Sequence, residues 1–219
     1  MISENALEEA TIMDIYTTIE NRRTIRDFED RAVPEEIVEK LVEAGLKAPT
    51  NDHMRHWEFV VVNDREARKK LLRIKSFGDS EAIDGQLDSW GLGDKAQRDM
   101  YQEALPRQYS MLFNAGCLIL PFFRVQTPLL HPKDLSALNE FASIWCCIEN
   151  MLLAAVSEGI FGVTRIPMTD ESVRIKNVVG HPDNYVLPCY MALGYPAANA
   201  KRTRQNTVSP KSKIHVSTW

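Results

Sequence analysis

Residues 141–163, FASIWCCIENMLLAAVSEGIFGV, decide how the rest of the chain is read. A helix drawn from Asp134 to Glu158 carries apolar side chains on nearly every face, among them Leu138, Phe141, Ile144, Trp145, Ile148, Leu152 and Ala155. A helix that is apolar all round is a buried one. Glu149, Asn150 and Glu158 lie within it, so a bilayer span is a poor explanation of its composition. One copy of a 219-residue chain has difficulty covering such a helix, and part of it is expected to pack against a second copy.

Outward from this helix the chain alternates between two periods. WEFVVV (57–62) and CLILPFF (117–123) are rich in β-branched and aromatic residues and read as strands, as do FGVTRIP (161–167) and VLPCYMALGYP (186–196). Ile12, Ile15, Tyr16 and Ile19 predict a first helix. Pro34, Glu35 and Glu36 open a second one, with Ile37, Val38, Leu41 and Ala44 along its stripe, ending within residues 45–49. Asp64 caps a third with Ala67, Leu71 and Ile74 on one face, and another runs over 172–179. The strands are too few and too irregularly spaced for a doubly wound parallel sheet, so a mixed α+β sandwich is expected. Tyr16, Trp145 and Met151 are read as core residues.

The chain is expected to form one domain over residues 12–219, preceded by a loose acidic leader at 1–11 and closed by a basic extension at 197–219. The leader lacks the apolar run of a signal peptide. Residues 76–110 are glycine-punctuated, mixed in charge and without a clean period, which suits a lid or an insertion. A net charge of -4 and a pI near 5.8 argue against a protein that coats nucleic acid. Cys117, Cys146, Cys147 and Cys189 sit in apolar surroundings without metal-ligand spacing, as expected of buried thiols in a reducing, cytoplasmic setting. His53 and His56 are too short a pattern for a zinc site.

In this acidic chain NRRTIRDF (21–28) gathers Arg22, Arg23 and Arg26 around Thr24. If the segment is extended, Arg22, Thr24 and Arg26 share one side, a set of forks and a hydroxyl suited to a phosphate monoester. The competing reading pairs the arginines with Asp27, Glu29 and Asp30 on a solvated surface. A second stretch, APTNDHMRHWEFVVV from Ala48, offers Thr50, Asn51 and His53 in a proline turn, either for a planar heterocycle or simply as a hydrogen-bonded turn.

Taken together, Arg-Arg-Thr-x-Arg-x-Phe, the Ala-Pro-Thr turn with its Trp-x-Phe strand, ENMLLAAVSEGIFGV and MALGYP resemble the nitroreductase family, in order, over residues 12–219. The resemblance implies a mainly antiparallel sheet packed with helices, in a homodimer with a long buried central helix. It also implies one FMN at each of two sites shared by the chains, and passage of two electrons from NAD(P)H to a small acceptor such as a nitroaromatic or a quinone. A flavin reductase or a reductive dehalogenase on the same fold, and a non-catalytic flavin-binding protein for storage or sensing, are the alternatives. In the matching positions Arg22 and Thr24, with Arg23 beside them, hold the phosphate and ribityl end. Arg26 lies by the pyrimidine side, where fixed positive charge favours the reduced anion. Pro49, Thr50, Asn51 and His53 reach the cofactor from the partner subunit, and the backbone N–H groups of Thr164, Arg165 and Ile166 approach flavin N5 and O4. Arg202 and Arg204 complete the phosphate clamp, with Lys211 and Lys213 as rival assignments. The flavin does the chemistry, so neither a protein nucleophile nor a metal is required. The chain departs from the family pattern at His53, Met54, Arg55 and His56, and at GIFGVTRIP (159–167), where the usual Gly-Leu-Gly and Trp-x-Gly features are missing.

Overall fold

The computed structural model describes residues 13–72, 80–168, 170–202, 205 and 207–219. The leader at 1–11, Ile12 and Ile74 fall outside that set. Asp14 accepts hydrogen bonds from the backbone N–H groups of Tyr16 (2.9 Å) and Thr17 (3.2 Å) and so starts α1, Ile15–Asn21. Pro34 precedes α2, Glu35–Leu46, whose first turn carries Glu35 and Glu36 against the positive end of the helix. A single 3-10 turn, Asn51–His53, leads into β1, Trp57–Val61. Asp64 accepts from Ala67 N–H at 2.6 Å and opens α3, Arg65–Leu71. Then come α4, Ser80–Ser89, α5, Lys95–Ala104, and α6, Gln108–Phe113. β2, Cys117–Arg124, leads through a 3-10 turn at Leu135–Leu138 to α7, Asn139–Ser157. β3, Phe161–Arg165, is followed by α8, Glu171–Val179, which Gly180 ends at φ 75°, a left-handed cap that glycine adopts without strain. β4, Tyr185–Val186, and β5, Tyr190–Gly194, complete the sheet.

The sheet runs β1-β2-β5-β3, with β4 beside β2, and every strand pairing is antiparallel. Trp57 faces Phe123, Cys117 faces Leu193 and Arg165 faces Tyr190. Period-two alternation sorts the strands between two layers. Trp57, Cys117, Ile119, Phe123, Met191 and Leu193 join Val38, Leu41, Ile144, Cys147, Ile148 and Met151 of α2 and α7. Leu118, Leu120, Phe122, Val163, Tyr190 and Ala192 join Leu71, Met111, Leu112 and Ile175 of α3, α6 and α8 on the other face. β2 is covered on both faces, which is why CLILPFF is apolar without alternation. The α+β class is as expected, but VLPCYMALGYP divides into β4 and β5, because Pro188 between them has no N–H to give to a ladder.

Two other readings, at Cys146 and Tyr16, need correction. The buried residues of α7, Ile144, Cys147, Ile148, Met151, Ala155 and Val156, form one stripe, so a single copy leaves part of the helix uncovered, as expected. Ala142, Cys146 and Glu149 stay exposed on its other flank, and Cys146 is therefore not a buried thiol. Leu135–Ser157 is long and apolar enough to cross a membrane (mean hydropathy 1.3), yet α7 packs on α2 and the sheet. Met151 is core and Trp145 half-buried, whereas Tyr16 is 81% exposed. Of the segment 76–110, residues 76–79 lie outside the described residues; in the rest, α4 and α5 enclose a small core of Ile83, Leu87 and Leu105 with Leu92 and Tyr101. Arg98 ties the pair together, donating to Asp84 (2.8 Å), Asp88 (2.7 Å) and the Leu92 carbonyl (2.8 Å). α5 has no fully buried residue and few apolar side chains, so no apolar stripe announces it in the sequence.

Candidate functional site

Beyond α1 the chain is extended, and residues 22–28 lie as a strap across one end of the sheet. Thr24 makes a parallel bridge to Gly162 in β3, and Ile25 N–H donates to the Gly162 carbonyl at 3.2 Å. A Cβ on Gly162 would meet Leu193 at 2.4 Å and the Ala192 carbonyl at 2.7 Å, so glycine lets β5 approach β3 this closely. Phe28 bridges Pro196, Glu29 N–H donates to the Tyr195 carbonyl (2.9 Å) and Ala197 N–H to the Asp27 carbonyl (3.1 Å), so the C-terminal extension starts from the strap. Ile25 is buried, while Arg22, Thr24 and Arg26 alternate with it and are half-buried. The guanidinium carbon of Arg202 stands 5.5 Å from the Phe161 ring centroid, at the start of β3. The strap, β3 and the extension thus meet at one end of the sheet. Arg204 lies outside the described residues, and Lys211 and Lys213 are exposed in a distal 3-10 turn.

The surface pairing weighed for the arginines is not the observed one. Asp27 is held by Arg107, and Asp30 by Arg65 at 2.6 Å. The counter-charge on Arg22 is Glu149 of α7, 3.1 Å from Nε, while Arg23 Nη1 donates to the Arg22 carbonyl at 2.8 Å. Arg26 is covered by α5: its Nη2 lies 3.7 Å from Met100 Sδ. Burial lowers the Arg26 pKa, opposed by the charges of Glu103 and Asp27 and reinforced by Arg107. Sequence reasoning missed Glu149, Met100, Glu103 and Arg107. The one signal for Glu149 was a charge within an otherwise apolar stretch.

Arg165 supplies its backbone to the segment 164–166 but turns its side chain inward. It is 7% exposed and makes a two-point pair with Glu171 (2.9 and 2.6 Å), and its Nε donates to Gln108 at 2.9 Å. The Tyr190 hydroxyl (3.1 Å) and Met168 N–H (3.3 Å) also donate to Glu171. Burial pushes the Glu171 carboxyl up, but the hydrogen bonds and charge of Arg165 outweigh it and hold the group below the usual glutamate value. The network braces the end of β3 against α6 and α8, and leaves Thr164 half-buried and Ile166 65% exposed.

The turn at 49–53 sits elsewhere. Asn51 N–H donates to Ser143 Oγ (3.2 Å), and Asn139 Nδ2 to Asn51 Oδ1 (3.4 Å), at the first turns of α7. Pro49 and His53 are exposed, His53 at φ 55°. Thr50 Oγ1 is buried and, among the described residues, has no hydrogen-bond partner. Glu149, where Arg22 rests, is six residues past Ser143, about 9 Å along the helix. Within one copy the turn and the strap thus meet α7 at points almost two helical turns from each other. A cavity of about 640 Å³ between α2 and β1 is rimmed by Glu35, Glu39, Glu43 and Glu58, the wrong charge for an anion. Among the described residues no group of three or more His, Cys, Asp or Glu could hold a metal ion.

An antiparallel sheet between helical layers, with a cationic strap at its margin, defines an α+β protein built around that end of the sheet. The chain belongs to the nitroreductase family: the family model matches residues 19–195. A Methanothermobacter thermautotrophicus protein with the provisional name NADH dehydrogenase/NAD(P)H nitroreductase is 27% identical, over 94% of this chain and 88% of that one. The iodotyrosine deiodinase of Nematostella vectensis is 28% identical, over 86% of this chain and 69% of its own length. Among solved structures, an iodotyrosine deiodinase bound to FMN and 3-iodo-L-tyrosine superposes with a TM-score of 0.69 over 94% of this chain and all of that one. At 18% identity this last likeness speaks for the fold alone.

Proposed function

We propose that the protein is an FMN-dependent oxidoreductase that works as a homodimer and passes two electrons from NAD(P)H to a small acceptor such as a nitroaromatic or a quinone. The observation that carries this reading is the meeting of the strap, the start of β3 and Arg202 at one end of the sheet. The residues fit the cofactor. Arg22, Thr24 and Arg202, with Arg23 and Arg204 as further candidates, offer forks and a hydroxyl to a phosphate. Arg26 offers fixed charge to the ring. Thr50 holds a buried hydroxyl whose bonding capacity one copy leaves unused, the kind of group that a ligand or a second chain satisfies.

Bound FMN supplies the hydride-accepting and electron-donating chemistry. The chain does the rest. Arg22 and Thr24 anchor, Arg26 stabilises negative charge that develops beside it, and the Arg165–Glu171 pair fixes the backbone at 164–166 as a donor edge. α5 covers Arg26 and keeps water from it, which is the role we assign to residues 80–107 within a single unit spanning 12–219. The partner copy contributes Pro49, Thr50, Asn51 and His53, a reading supported by the buried Thr50 hydroxyl, which has no hydrogen-bond partner among the described residues of one copy. The flank of α7 left open by its own chain, together with Ile15, Tyr16 and Ile19 of α1, forms the surface through which the copies join. A reducing, cytoplasmic setting accords with the buried thiols of Cys117, Cys147 and Cys189, which burial pushes up to about 11, about 12 and about 12.

Purified protein is expected to be yellow and to bleach when NADH or NADPH is added without oxygen. A yellow protein that neither nucleotide bleaches is a binding module, and a colourless one that FMN cannot reconstitute contradicts the proposal. A second reading, reductive dehalogenation, is favoured by the iodotyrosine deiodinases among the relatives. Release of iodide from 3-iodotyrosine by the reduced protein tests it.

A further inference from the structure

The pair between Arg22 and Glu149 is left over by that function, since a phosphate clamp needs no carboxylate. Arg22 follows the last residue of α1, and its Nε lies 3.1 Å from Glu149 Oε1, with side chains 27% and 52% exposed. Asp27 and Asp30, close to Arg22 in the sequence, are engaged elsewhere, with Arg107 and Arg65. Glu149 also cannot withdraw with its helix, because the flanking Cys147, Ile148 and Met151 are wholly buried against α2 and the sheet.

We propose that Glu149 determines cofactor specificity: it shares Arg22 with the phosphate and sets how strongly the site prefers a phosphorylated flavin to an unphosphorylated one. The inference rests on Arg22 being a phosphate ligand. Two effects of the carboxylate oppose each other. It holds the guanidinium in place before the ligand arrives, but a half-exposed ion pair of this kind contributes little. It also faces a phosphate across one guanidinium, and a phosphate monoester carries about -1.5 to -2 charges at pH 7, so the repulsion is close to double that of a single anion. Repulsion prevails. Riboflavin has no phosphate and feels none of it.

The test is fluorescence titration of the full-length apoprotein with FMN and, separately, with riboflavin, for the wild type and for Glu149→Gln. Thermal melting and sedimentation of both proteins check that the substitution, which lies on the flank of α7 assigned to the joint between copies, leaves the fold and the dimer intact. The substitution is expected to tighten FMN binding about tenfold, equivalent to about 1.4 kcal/mol, to leave riboflavin binding unchanged, and to lose its effect as salt screens the charges. Unchanged or weaker FMN binding overturns the inference, and so does an equal shift for both flavins, while Arg22 remains a ligand. If the wild type binds neither flavin, the cofactor reading fails and the inference falls with it.

Discussion

Arg165 and Glu171 are costly residues to hold in place, since both are charged and nearly without solvent contact. The two-point geometry, with Gln108, Tyr190 and Met168 N–H satisfying the remaining positions, is what keeps the pair ionised there. Glu171→Gln leaves a buried guanidinium without its anion and is expected to cost about 3–5 kcal/mol at pH 7. A carboxyl whose pKa is lowered by folding stabilises fully above its unfolded value, about 4.3, and loses that contribution as pH falls through the folded value. The melting-temperature gap between wild type and Glu171→Gln should therefore narrow in acid below about pH 4, and a gap constant down to pH 3 would speak against the pair. At the strap, Arg22→Ala removes one charge-assisted contact and should weaken FMN binding by about 1.5–3 kcal/mol. An unchanged dissociation constant counts against Arg22 as a ligand. Arginines crowded into an acidic chain were legible as a candidate site. The Arg165–Glu171 pair was not, because nothing in local spacing tells a buried pair from two solvated charges.

Among the elements, α2 and α7 approach most tightly where Gly45 meets Cys147 and Met151. Even a Cβ there would lie 2.8 Å from Cys147 Sγ and 2.8 Å from Met151 Cγ. Gly45→Val is expected to cost about 1–3 kcal/mol through overpacking, read as a lower denaturation midpoint; a neutral result would mean that the helices are free to separate. The helical pair α4 and α5 has its own three-residue core, apart from both main clusters. Its amides should exchange faster than those of β2 and β5. Equal protection would show that the pair unfolds only with the sheet. The long helix and the strands were readable because deep burial demands continuous apolar runs, on nearly every face of α7 and without alternation in β2. Residues 80–107 escaped because α5 has no fully buried residue and Gly91 and Gly93 interrupt the pattern. The split between β4 and β5 escaped because the run stays apolar through a proline that ends pairing.

For the whole molecule, one copy exposes too much of what a folded protein covers. Ile15, Tyr16 and Ile19 project from α1, the outer flank of α7 is open, and Trp219 is fully exposed at the end of a basic extension. Sedimentation should give a mass of two chains at micromolar concentration, whereas a monomer that retains flavin removes the reason for a partner. The central claim is that each site takes its strap from one chain and its turn at 49–53 from the other. Its most direct test is flavin content in mixed dimers of Arg22→Ala chains with Thr50→Tyr chains, prepared by co-expression and separated by two affinity tags. Each parent should bind FMN poorly, and the mixed dimer should regain one tight site per two chains, because one of its sites combines an intact strap with an intact turn. A mixed dimer that binds no better than its parents contradicts a site built between two copies.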